Sequence, residues 1–318
     1  MDEFSLIDHF FKPLAHKRKE VLLGIGDDAA CVRIPQGTDL LVSVDTLVSG
    51  VHFLPEWKAY DIACRSVLVN VSDMAAMAAE PCWITLALTL PEVDQQWLTS
   101  FAQGLKYSLN QFNMALIGGD TTQGPLSITL TIFGTVPQGK AVSRGGAKPG
   151  DIIVVSGELG GAALAVSLLD KKISEQYETE LMEKLLHPRP RTDLIDYLRL
   201  YASAAIDISD GLSADLNHLC VASGVGGCIE EEAIPIHSLL HHFSPDNALD
   251  LAIAGGDDYE LCFTVPKDRF SSFMEALKKE HISCYPIGVI EREPGLRLKK
   301  GNHCHKIEPR GYYHFRDS

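Results

Sequence analysis

The chain has 318 residues, of which 46% are hydrophobic and 22% charged, and its formal net charge at pH 7 is −14. This length allows two domains of ordinary size, each with a substantial core. A chain this acidic lacks the basic footprint of a nucleic-acid-binding protein, so we expect no nucleic-acid partner.

The segments that could direct the chain to a membrane or out of the cell have the wrong composition. The N-terminus, MDEFSLIDHFF, has neither the basic start nor the apolar core of a signal peptide. The most apolar stretch, MAAMAAEPCWITLALTL, is broken by Glu80 and Pro81, so we expect no membrane-spanning helix there. The eight cysteines form no Cys-x-x-Cys pair, which favours free thiols in a reducing cytoplasm.

The first half of the chain alternates long strands with helices. Residues 59–79 are rich in alanine and valine and predict a helix. In DQQWLTSFAQGLKYSLNQF, Trp97, Phe101, Leu105 and Leu109 recur four apart, which indicates one face of an amphipathic helix. The predicted strands of this half are residues 39–48, 83–91 and 126–136.

Two of these strands alternate threonine with apolar residues. In SITLTIFGTV, Ile128, Leu130 and Ile132 alternate with Thr129 and Thr131, and WITLALTL has the same pattern. Such alternation is typical of a half-buried antiparallel strand. The threonine faces could meet water or a neighbouring subunit equally well.

The turn-rich stretch VPQGKAVSRGGAKPGD, residues 136–151, is the best candidate for a domain boundary. After it, DIIVVSGELGGAALAVSLL indicates a strand, a glycine turn and a helix, and the prolines of HPRPRTD exclude helix from residues 187–193. Further strands and helices are predicted over residues 203–208, 212–223, 249–254, 260–265, 268–280 and 284–290. We therefore predict an α/β protein of the α+β type, with two domains built on mixed sheets and joined near residues 138–148.

Aspartates follow apolar runs at six places in the chain. A single case is ordinary turn chemistry, because Asp and Gly tolerate the backbone angles of a tight turn. Six cases favour a shared function at the ends of buried strands. The segments are LLGIGDDAACV, DLLVSVDTL, SVLVNVSDMAAM, MALIGGDTT, SAAIDISDGL and LAIAGGDDYEL.

Carboxylates and hydroxyls are hard oxygen ligands that suit Mg²⁺ better than zinc. Carboxylates gathered by the fold would repel one another unless cations neutralised them, and the main reason to hold several such cations is a polyphosphate. The glycines of GIGDD, GGDTT, SGELGG and AGGDD allow backbone N–H groups to approach anions, although each segment alone is also typical of a turn. The sequence has no P-loop and no protein-kinase signature.

Taken together, the motifs resemble those of bacterial thiamine-monophosphate kinases. The matching segments, in chain order, are GIGDDAA, VSVDTLVSGVHF, NVSDMAAM, LIGGDTTQGPLSITLTIFG, SRGGAKPGD, IDISDGLSADL and GGDDYELCF. The resemblance runs from about Phe4 to the closing RGYYHF. The aminoimidazole-ribonucleotide and selenophosphate synthetases share the fold and its aspartate-rich motifs, but are not expected to carry GVHF or GGDDYELCF in this form.

The resemblance implies ATP-dependent phosphorylation of thiamine monophosphate to thiamine diphosphate in the cytoplasm, with several Mg²⁺ ions. It implies a homodimer in which the N-terminal sheets join into a β-barrel, and an ATP site between the two domains. The N-terminal ATP- and Mg²⁺-binding and dimerisation domain would span residues 1–138, and the C-terminal α/β domain residues 148–318.

The resemblance also implies roles for individual residues. The metal ligands would be Asp28, Ser43, Val44, Asp45, Asp73, Asp120, Asp207 and Asp210. Of these, the residues central to catalysis would be Asp45, Asp120 and Asp210. ATP would contact Gly119, Asp120, Arg144 and Ser209. The thiamine side would be formed by His52, Asp257, Asp258, Pro309 and Tyr312.

Two positions depart from the family pattern. Val44 stands where a threonine is usual, so a metal contact there would have to come from its backbone carbonyl. Pro309 replaces an aromatic residue expected to cover the thiamine ring, a role that could pass to Tyr312. On the residues alone, His52 is better explained by packing beside Phe53, and Arg144 by solvation in a glycine-rich loop; the resemblance is what favours a functional role for both.

The implied acceptor is itself a phosphate, mostly dianionic at neutral pH because its second pKa is about 6. Direct in-line transfer then needs no strong base, which suits a sequence without an evident catalytic dyad. Two alternatives stay open at this point. One is a synthetase of the same fold that uses ATP, and the other is a non-catalytic nucleotide- or metal-binding regulator.

Overall fold

The computed structural model describes residues 3–15 and 18–315, and these residues form two compact units. The first comprises the described residues up to Met74 together with Ala79–Ala141. The second comprises Ala75–Ala78 and the described residues from Val142 onward. Each unit contains its own sheet with strands of mixed direction, so the predicted fold class is confirmed.

The first unit carries short N-terminal turns, two long helices and six strands. Its helices are α1 (Glu3–Leu6), α2 (Ala59–Ala76, with its end in the second unit) and α3 (Gln95–Gln111). Its strands are β1 (Val21–Leu23), β2 (Cys31–Val32), β3 (Thr38–Val48), β4 (Glu80–Leu90), β5 (Ala115–Gln123) and β6 (Ser127–Pro137). The strands predicted from alternation and the helix before β5 are confirmed.

The helix predicted over residues 59–79 ends earlier, at Ala76. Ala78 adopts a left-handed backbone with φ 57°, and β4 begins at Glu80. The start of α3 is fixed by the Asp94 side chain, which accepts hydrogen bonds from the N–H groups of Gln96 and Trp97.

The large sheet of the first unit has the order β3-β6-β4-β5. Strand β6 is antiparallel to both neighbours, whereas β4 and β5 are parallel. The predicted alternation in β6 is confirmed, since Ile128, Leu130 and Ile132 are buried and the threonines between them are only half-buried. One face of the sheet therefore belongs to the core and the other is polar or open.

The second unit is built on a seven-stranded sheet of order β13-β12-β9-β11-β7-β10-β8, in which β9 and β12 are parallel and the other neighbours antiparallel. Its strands are β7 (Ile152–Val155), β8 (Ala204–Asp207), β9 (Gly226–Glu230), β10 (Leu261–Val265), β11 (Tyr285–Glu291), β12 (Gly295–Lys300) and β13 (His303–Ile307). Its helices are α4 (Gly161–Ser167), α5 (Glu175–Leu186), α6 (Ile195–Tyr201), α7 (Leu212–Ser223), α8 (Ser238–Phe243), α9 (Ala248–Ala254) and α10 (Lys267–Lys279).

Helices bury apolar side chains on both faces of this sheet. On one face Leu212, Leu216 and Leu219 of α7 belong to the same core as Val155 and Ile206. On the other face, α6 and α10 pack against alternate residues of β7, β8 and β10. This packing fixes the ends of β7, β8 and β10, from which the loops of the candidate site emerge. No helix within residues 3–15 and 18–315 is long and apolar enough to cross a membrane.

Candidate functional site

Three of the predicted ligands meet in the first unit. Ser43 and Asp45 lie two residues apart on β3, so they share the face of the sheet that is turned toward α2. The Ser43 hydroxyl donates a hydrogen bond of 2.6 Å to Oδ2 of Asp73 on α2. This arrangement brings two carboxylates and a hydroxyl together at the boundary between sheet and helix.

The Asp45 carboxylate is electrostatically unfavourable where it stands. Burial, with a smaller contribution from the charge of Asp73, raises the pKa of Asp45 from 3.8 to about 6. Both effects disfavour the ionised form, and a bound cation would reverse them. The donor set of this pair, with Ser43, consists of hard oxygen ligands of the kind that Mg²⁺ prefers.

A second group of predicted site residues lines a cavity of about 760 Å³. Asp28, Gly119 and Asp120 all border it, and Asp28 and Asp120 are exposed. Gly119 is required by close packing, because a Cβ there would overlap the carbonyl oxygen of Leu86 on the neighbouring strand. Asp27, which is not among the predicted ligands, uses Oδ1 to accept a hydrogen bond of 2.9 Å from the N–H of Asp28, so this carboxylate bonds to the local backbone.

The sheet register separates these two groups. Asp45 lies in one row across the sheet with Leu130, Leu86 and Gly119, whereas Asp120 lies in the next row. Adjacent rows project to opposite faces of a pleated sheet, and β3 and β5 form its two edges. In the described part of the chain, no three His, Cys, Asp or Glu side chains are close enough together to hold a metal ion.

The expectation that the aspartates end buried strands is wrong for most of them. Asp207 is the last residue of β8, but Asp45 and Asp120 lie within β3 and β5. Asp73 lies within α2, and Asp257 follows the helix α9. Strand β3 continues past Asp45 and strand β5 past Asp120, because their backbone hydrogen bonds with β6 and β4 do not depend on which side chain is present.

Val44 and His52 occupy different surroundings from the acidic pair. The Val44 side chain is 57% exposed and lies on the opposite face of β3 from Ser43 and Asp45. Nδ1 of His52, in the turn after β3, accepts a hydrogen bond of 3.0 Å from the N–H of Val48, the last residue of β3. The neutral imidazole therefore carries its proton on Nε2.

In the second unit, the loop after β8 gathers four predicted site residues. Asp207 is buried at the strand end, and Ser209 and Asp210 follow it half-buried. Burial raises the pKa of Asp210, although the positive charge of Arg144 and two nearby histidines opposes this shift. Arg144 itself is exposed, and its carbonyl accepts a hydrogen bond of 3.0 Å from Ser223 Oγ.

The Ser209–Gly211 loop is held by an acid that the sequence analysis missed. Oδ2 of Asp215 accepts hydrogen bonds of 3.0 Å from the N–H groups of Asp210 and Gly211 at the start of α7. Burial, and then the charge of Asp210, raises the pKa of Asp215 to about 7. The signal was present, since an acid in the first turn that reaches back to the residues before a helix is a capping pattern.

Two further segments contact this loop. The N–H of Asp257 donates to the carbonyl of Ser209 at 2.8 Å, and the N–H of Tyr312 donates to the carbonyl of Asp210 at 3.0 Å. Gly311 allows the second contact, because a Cβ there would lie 2.7 Å from the Asp210 carbonyl oxygen. Pro309 lies half-buried just before this contact, and Tyr312 is exposed beside the loop.

Asp258 differs from its neighbour Asp257. Its two carboxylate oxygens accept hydrogen bonds of 3.0 and 2.8 Å from the N–H of Gly160, just before α4. Burial raises the pKa of Asp258 to about 8, against the lowering effect of this backbone donor. The contacts join the SGELGG and GGDDYEL segments, so a structural role explains Asp258 as well as substrate binding does.

The comparisons with known proteins agree with this arrangement of motifs. Residues 26–136 match the family model of the AIR synthase related protein N-terminal domain, and residues 148–301 match that of its C-terminal domain. The thiamine-monophosphate kinase of Salmonella typhimurium is 44% identical over 318 residues, covering 98% of each chain. The chain belongs to the thiamine-monophosphate kinase family.

Solved structures of thiamine-monophosphate kinases have the same fold. The crystal structure of the enzyme from Stenotrophomonas maltophilia matches with a TM-score of 0.86 and 42% identity, over 94% of this chain and 96% of that one. A structure of AaThiL complexed with AMPPCP and TMP matches with a TM-score of 0.80 and 33% identity, over 98% and 97% of the two chains. The family resemblance inferred from the motifs is therefore confirmed along the chain.

We predict that Asp258 makes stability depend on pH. The pKa of Asp258 is about 8 in the folded protein and ordinarily 3.8. Between pH 3.8 and pH 8 the folded state therefore carries a proton on Asp258 that the unfolded state has lost. The free energy of unfolding should then fall as pH rises from 5 to 8, by about 1–2 kcal/mol for a half-buried group. In Asp258→Asn this loss should be smaller, as measured by urea unfolding at both pH values. An equal fall in the free energy of unfolding in both proteins would show that Asp258 is not the source of the pH dependence.

Proposed function

We propose that this member of the thiamine-monophosphate kinase family transfers the γ-phosphoryl group of ATP to thiamine monophosphate, forming thiamine diphosphate and ADP. The observation that carries the proposal is similarity along almost the whole chain to enzymes of that name. It is supported by AaThiL, whose structure was obtained with AMPPCP, an ATP analogue, and TMP. A synthetase or a regulator of the same fold would not explain this full-length similarity.

The acceptor chemistry explains why the site consists of acids and glycines without a catalytic base. A phosphate monoester is already mostly dianionic at neutral pH, so no proton has to be removed before attack. The difficulty is the repulsion between this dianion and the polyphosphate of ATP. The chain's own task is to orient both anions for in-line displacement and to hold counter-charge beside them.

The residues present fit a bound Mg²⁺ at the Asp45–Asp73 pair. Their proximity and the raised pKa of Asp45 indicate a place where a cation would be stabilised. Ser43, Asp45 and Asp73 would hold the ion, with the Val44 carbonyl as a further oxygen. When bound, it would neutralise phosphate charge. We propose Asp28, Asp120, Asp207 and Asp210 as the other Mg²⁺ ligands, and Asp45, Asp120 and Asp210 as most important for transfer.

We divide the remaining predicted site residues between the two substrates. Gly119 and Asp120 border the large cavity of the first unit, and Arg144 and Ser209 lie beside Asp210 in the second. We assign these four residues to ATP. We assign His52, Asp257, Asp258, Pro309 and Tyr312 to thiamine monophosphate, with Tyr312 as the exposed ring beside Asp210 that can cover the thiamine ring in place of an aromatic residue at 309.

We further propose that the enzyme is a homodimer formed through the open face of the four-stranded sheet. On this face Val42 and Val44 are 56% and 57% exposed, and the hydroxyls of Thr46 and Thr129 bond each other at 2.8 Å. A row of exposed apolar side chains on the edge strand β3 is unusual for a surface in contact with water. Pairing two such sheets would bury it in the predicted β-barrel.

The cysteines favour a reducing compartment, and we propose the cytoplasm. Cys64, Cys82, Cys220, Cys228, Cys262 and Cys284 are buried free thiols. Buried free thiols are common in proteins kept reduced, whereas secreted proteins tend to pair them.

Free thiamine should be a poor acceptor. Its hydroxyl has a high pKa and would need a base, and it lacks the phosphate that the site must orient. We expect kcat/KM for thiamine to be at least about 1,000-fold below that for thiamine monophosphate. Product identity after incubation with ATP and Mg²⁺ checks this, with chelator and Mg²⁺ re-addition as controls. Comparable values for the two acceptors would overturn the proposed function.

Asp45→Asn should abolish transfer without unfolding the protein. The amide keeps the size of the side chain but removes the charge, so we expect kcat to fall at least about 100-fold at saturating Mg²⁺. Because repulsion with Asp73 is also removed, Tm should stay equal or rise. Asp120→Asn should lose activity similarly, while Glu92→Gln, in the exposed turn after β4, should keep it. Wild-type turnover in a folded Asp45→Asn protein would refute the assignment.

The dimer interface can be tested by placing a charge on the open face. Light scattering of the wild-type protein at micromolar concentration should give twice the chain mass of 34.8 kDa. Val42→Glu should give the monomer, because an unpaired charge is costly inside an interface. Val221→Glu, at a 70% exposed position of α7, is the matched control and should remain dimeric. A monomeric wild-type protein would reject the proposal.

A further inference from the structure

The HPRPR segment contains a buried arginine that the proposed reaction does not use. Arg191 is 6% exposed and lies between β7, β10 and the short turn before α6. Nε and Nη2 donate to the two carboxylate oxygens of Asp193 at 3.0 and 3.1 Å. Nη1 donates to Glu260 Oε2 at 3.0 Å and also to the carbonyl of Ser156. One guanidinium therefore joins three chain segments.

Glu260 is the point at which this network reaches the candidate site. Its carboxylate accepts hydrogen bonds from Arg191 and from the Ser156 hydroxyl, which in turn accepts one of 2.7 Å from the N–H of Leu261. A Cβ at Gly157 would overlap the carboxylate, so the SGELGG turn also closes around it. Burial acts to lower the pKa of Arg191, but the hydrogen bonds to Asp193 and the charge of Glu260 outweigh it and hold the pKa of Arg191 above its ordinary value.

The segment just before Glu260 has an unusual backbone. Asp257 and Tyr259 are both left-handed, with φ of 70° and 49°, although neither is glycine. The N–H of Asp257 donates to the Ser209 carbonyl, and the N–H of Tyr259 donates to the Ile208 carbonyl, both at 2.8 Å. The conformation thus places Asp257 directly against the loop that carries Ser209 and Asp210.

This segment is anchored on both sides. Before it, a Cβ at Gly256 would lie 2.5 Å from the Ser209 carbonyl oxygen, so the chain passes in close contact with the loop. After it, the Glu260 carbonyl accepts a hydrogen bond of 2.7 Å from the N–H of Ile208. The side chain of Glu260 is fixed in turn by Arg191 and Ser156. A disfavoured backbone conformation persists only where several surrounding contacts hold it in place, as the contacts on both sides of this segment do.

We propose that Arg191 is a positioning residue: through Glu260 it holds Asp257–Tyr259 against the Ser209–Asp210 loop and so sets the thiamine side of the site. The kinetic part of this inference rests on the proposed function, in which Asp257 faces thiamine monophosphate and Ser209 faces ATP. The structural part depends only on the contacts above. A neutral side chain at 191 leaves the Glu260 carboxylate half-buried without its cation, and the carboxylate then turns toward water.

The structural part is tested by amide hydrogen exchange on the full-length protein. In Arg191→Met, we expect the amides of residues 255–261 to exchange at least about tenfold faster than in the wild type. The matched control is Arg297→Met, because Arg297 is 9% exposed and lies 3.2 Å from Glu291 in the same sheet, on the distant strand β12. It should leave exchange at 255–261 within about twofold of the wild type. Unchanged exchange in folded Arg191→Met overturns the proposal.

The kinetic part separates positioning from a general loss of stability. Arg191→Met should raise KM for thiamine monophosphate about tenfold while KM for ATP changes less than about twofold. The lysine of Arg191→Lys can still pair with Glu260 but cannot bond both oxygens of Asp193 at the same time, so its KM for thiamine monophosphate should lie between those of the wild type and Arg191→Met. This variant provides the test if Arg191→Met fails to fold. Equal effects of Arg191→Met and Arg297→Met on KM for thiamine monophosphate would overturn the proposal.

The two proposals fail in different ways. If exchange at 255–261 responds to Arg191→Met but the wild type forms no thiamine diphosphate, the proposed function fails and the positioning contact stands. If the wild type is an active kinase but the segment and KM are insensitive to residue 191, the positioning role fails and the function stands.

Discussion

Repulsion between carboxylates that are close together and partly removed from water is the constraint on which this structure depends. Burial is the larger cause and this repulsion the smaller one in raising the pKa of Asp45 to about 6 and that of Asp215 to about 7. A single raised pKa unit corresponds to about 1.4 kcal/mol of differential stability between the two protonation states. The chain must therefore supply compensation wherever it gathers acids, and the kind of compensation distinguishes one acid from another.

Some acids are compensated by donors that belong to the fold. Asp215 accepts two backbone N–H groups, Asp258 accepts the N–H of Gly160, and Glu260 is held by Arg191. Such donors are fixed, so these acids hold loops in place. The Asp45–Asp73 pair has the Ser43 hydroxyl, a weaker partner than a cation. A bound cation, proposed above to be Mg²⁺, would therefore stabilise this pair more than it would stabilise the acids already held by fixed donors.

The sequence predicted the secondary-structure elements better than it predicted which residues contact one another. Strands β4 and β6 followed from alternation, because each buries one face and the period of two is visible in the sequence. The contact between Ser43 and Asp73 could not be predicted from the sequence pattern, since the two residues are 30 positions apart and meet only because α2 packs against the sheet. The family resemblance named both residues, but it could not show that the register puts Asp45 and Asp120 in adjacent rows on opposite faces.

The residues that pattern reading missed are those whose role is to hold other residues. Asp215 bonds to backbone N–H groups of the candidate site and Arg191 reaches it through the Glu260 side chain, so no ligand chemistry marks them in the sequence. Arg191 stood in a segment that indicated only a break in helix, because the two prolines just before it dominate the local signal. Its importance comes from distant partners, Ser156 and Glu260, that only the fold brings within reach.

Magnitudes show why such holding residues are needed near Ser209. A non-glycine residue in the left-handed region costs on the order of 1–3 kcal/mol, and Asp257 and Tyr259 both adopt it. Each neutral backbone hydrogen bond returns only about 1 kcal/mol, so the bonds to Ser209 and Ile208 together offset only the lower end of this strain. A hydrogen bond to a charged group contributes about 1.5–3 kcal/mol, and Glu260 receives one from Arg191. The charged contact is thus large enough to decide whether this segment keeps the conformation that presents Asp257 to the loop.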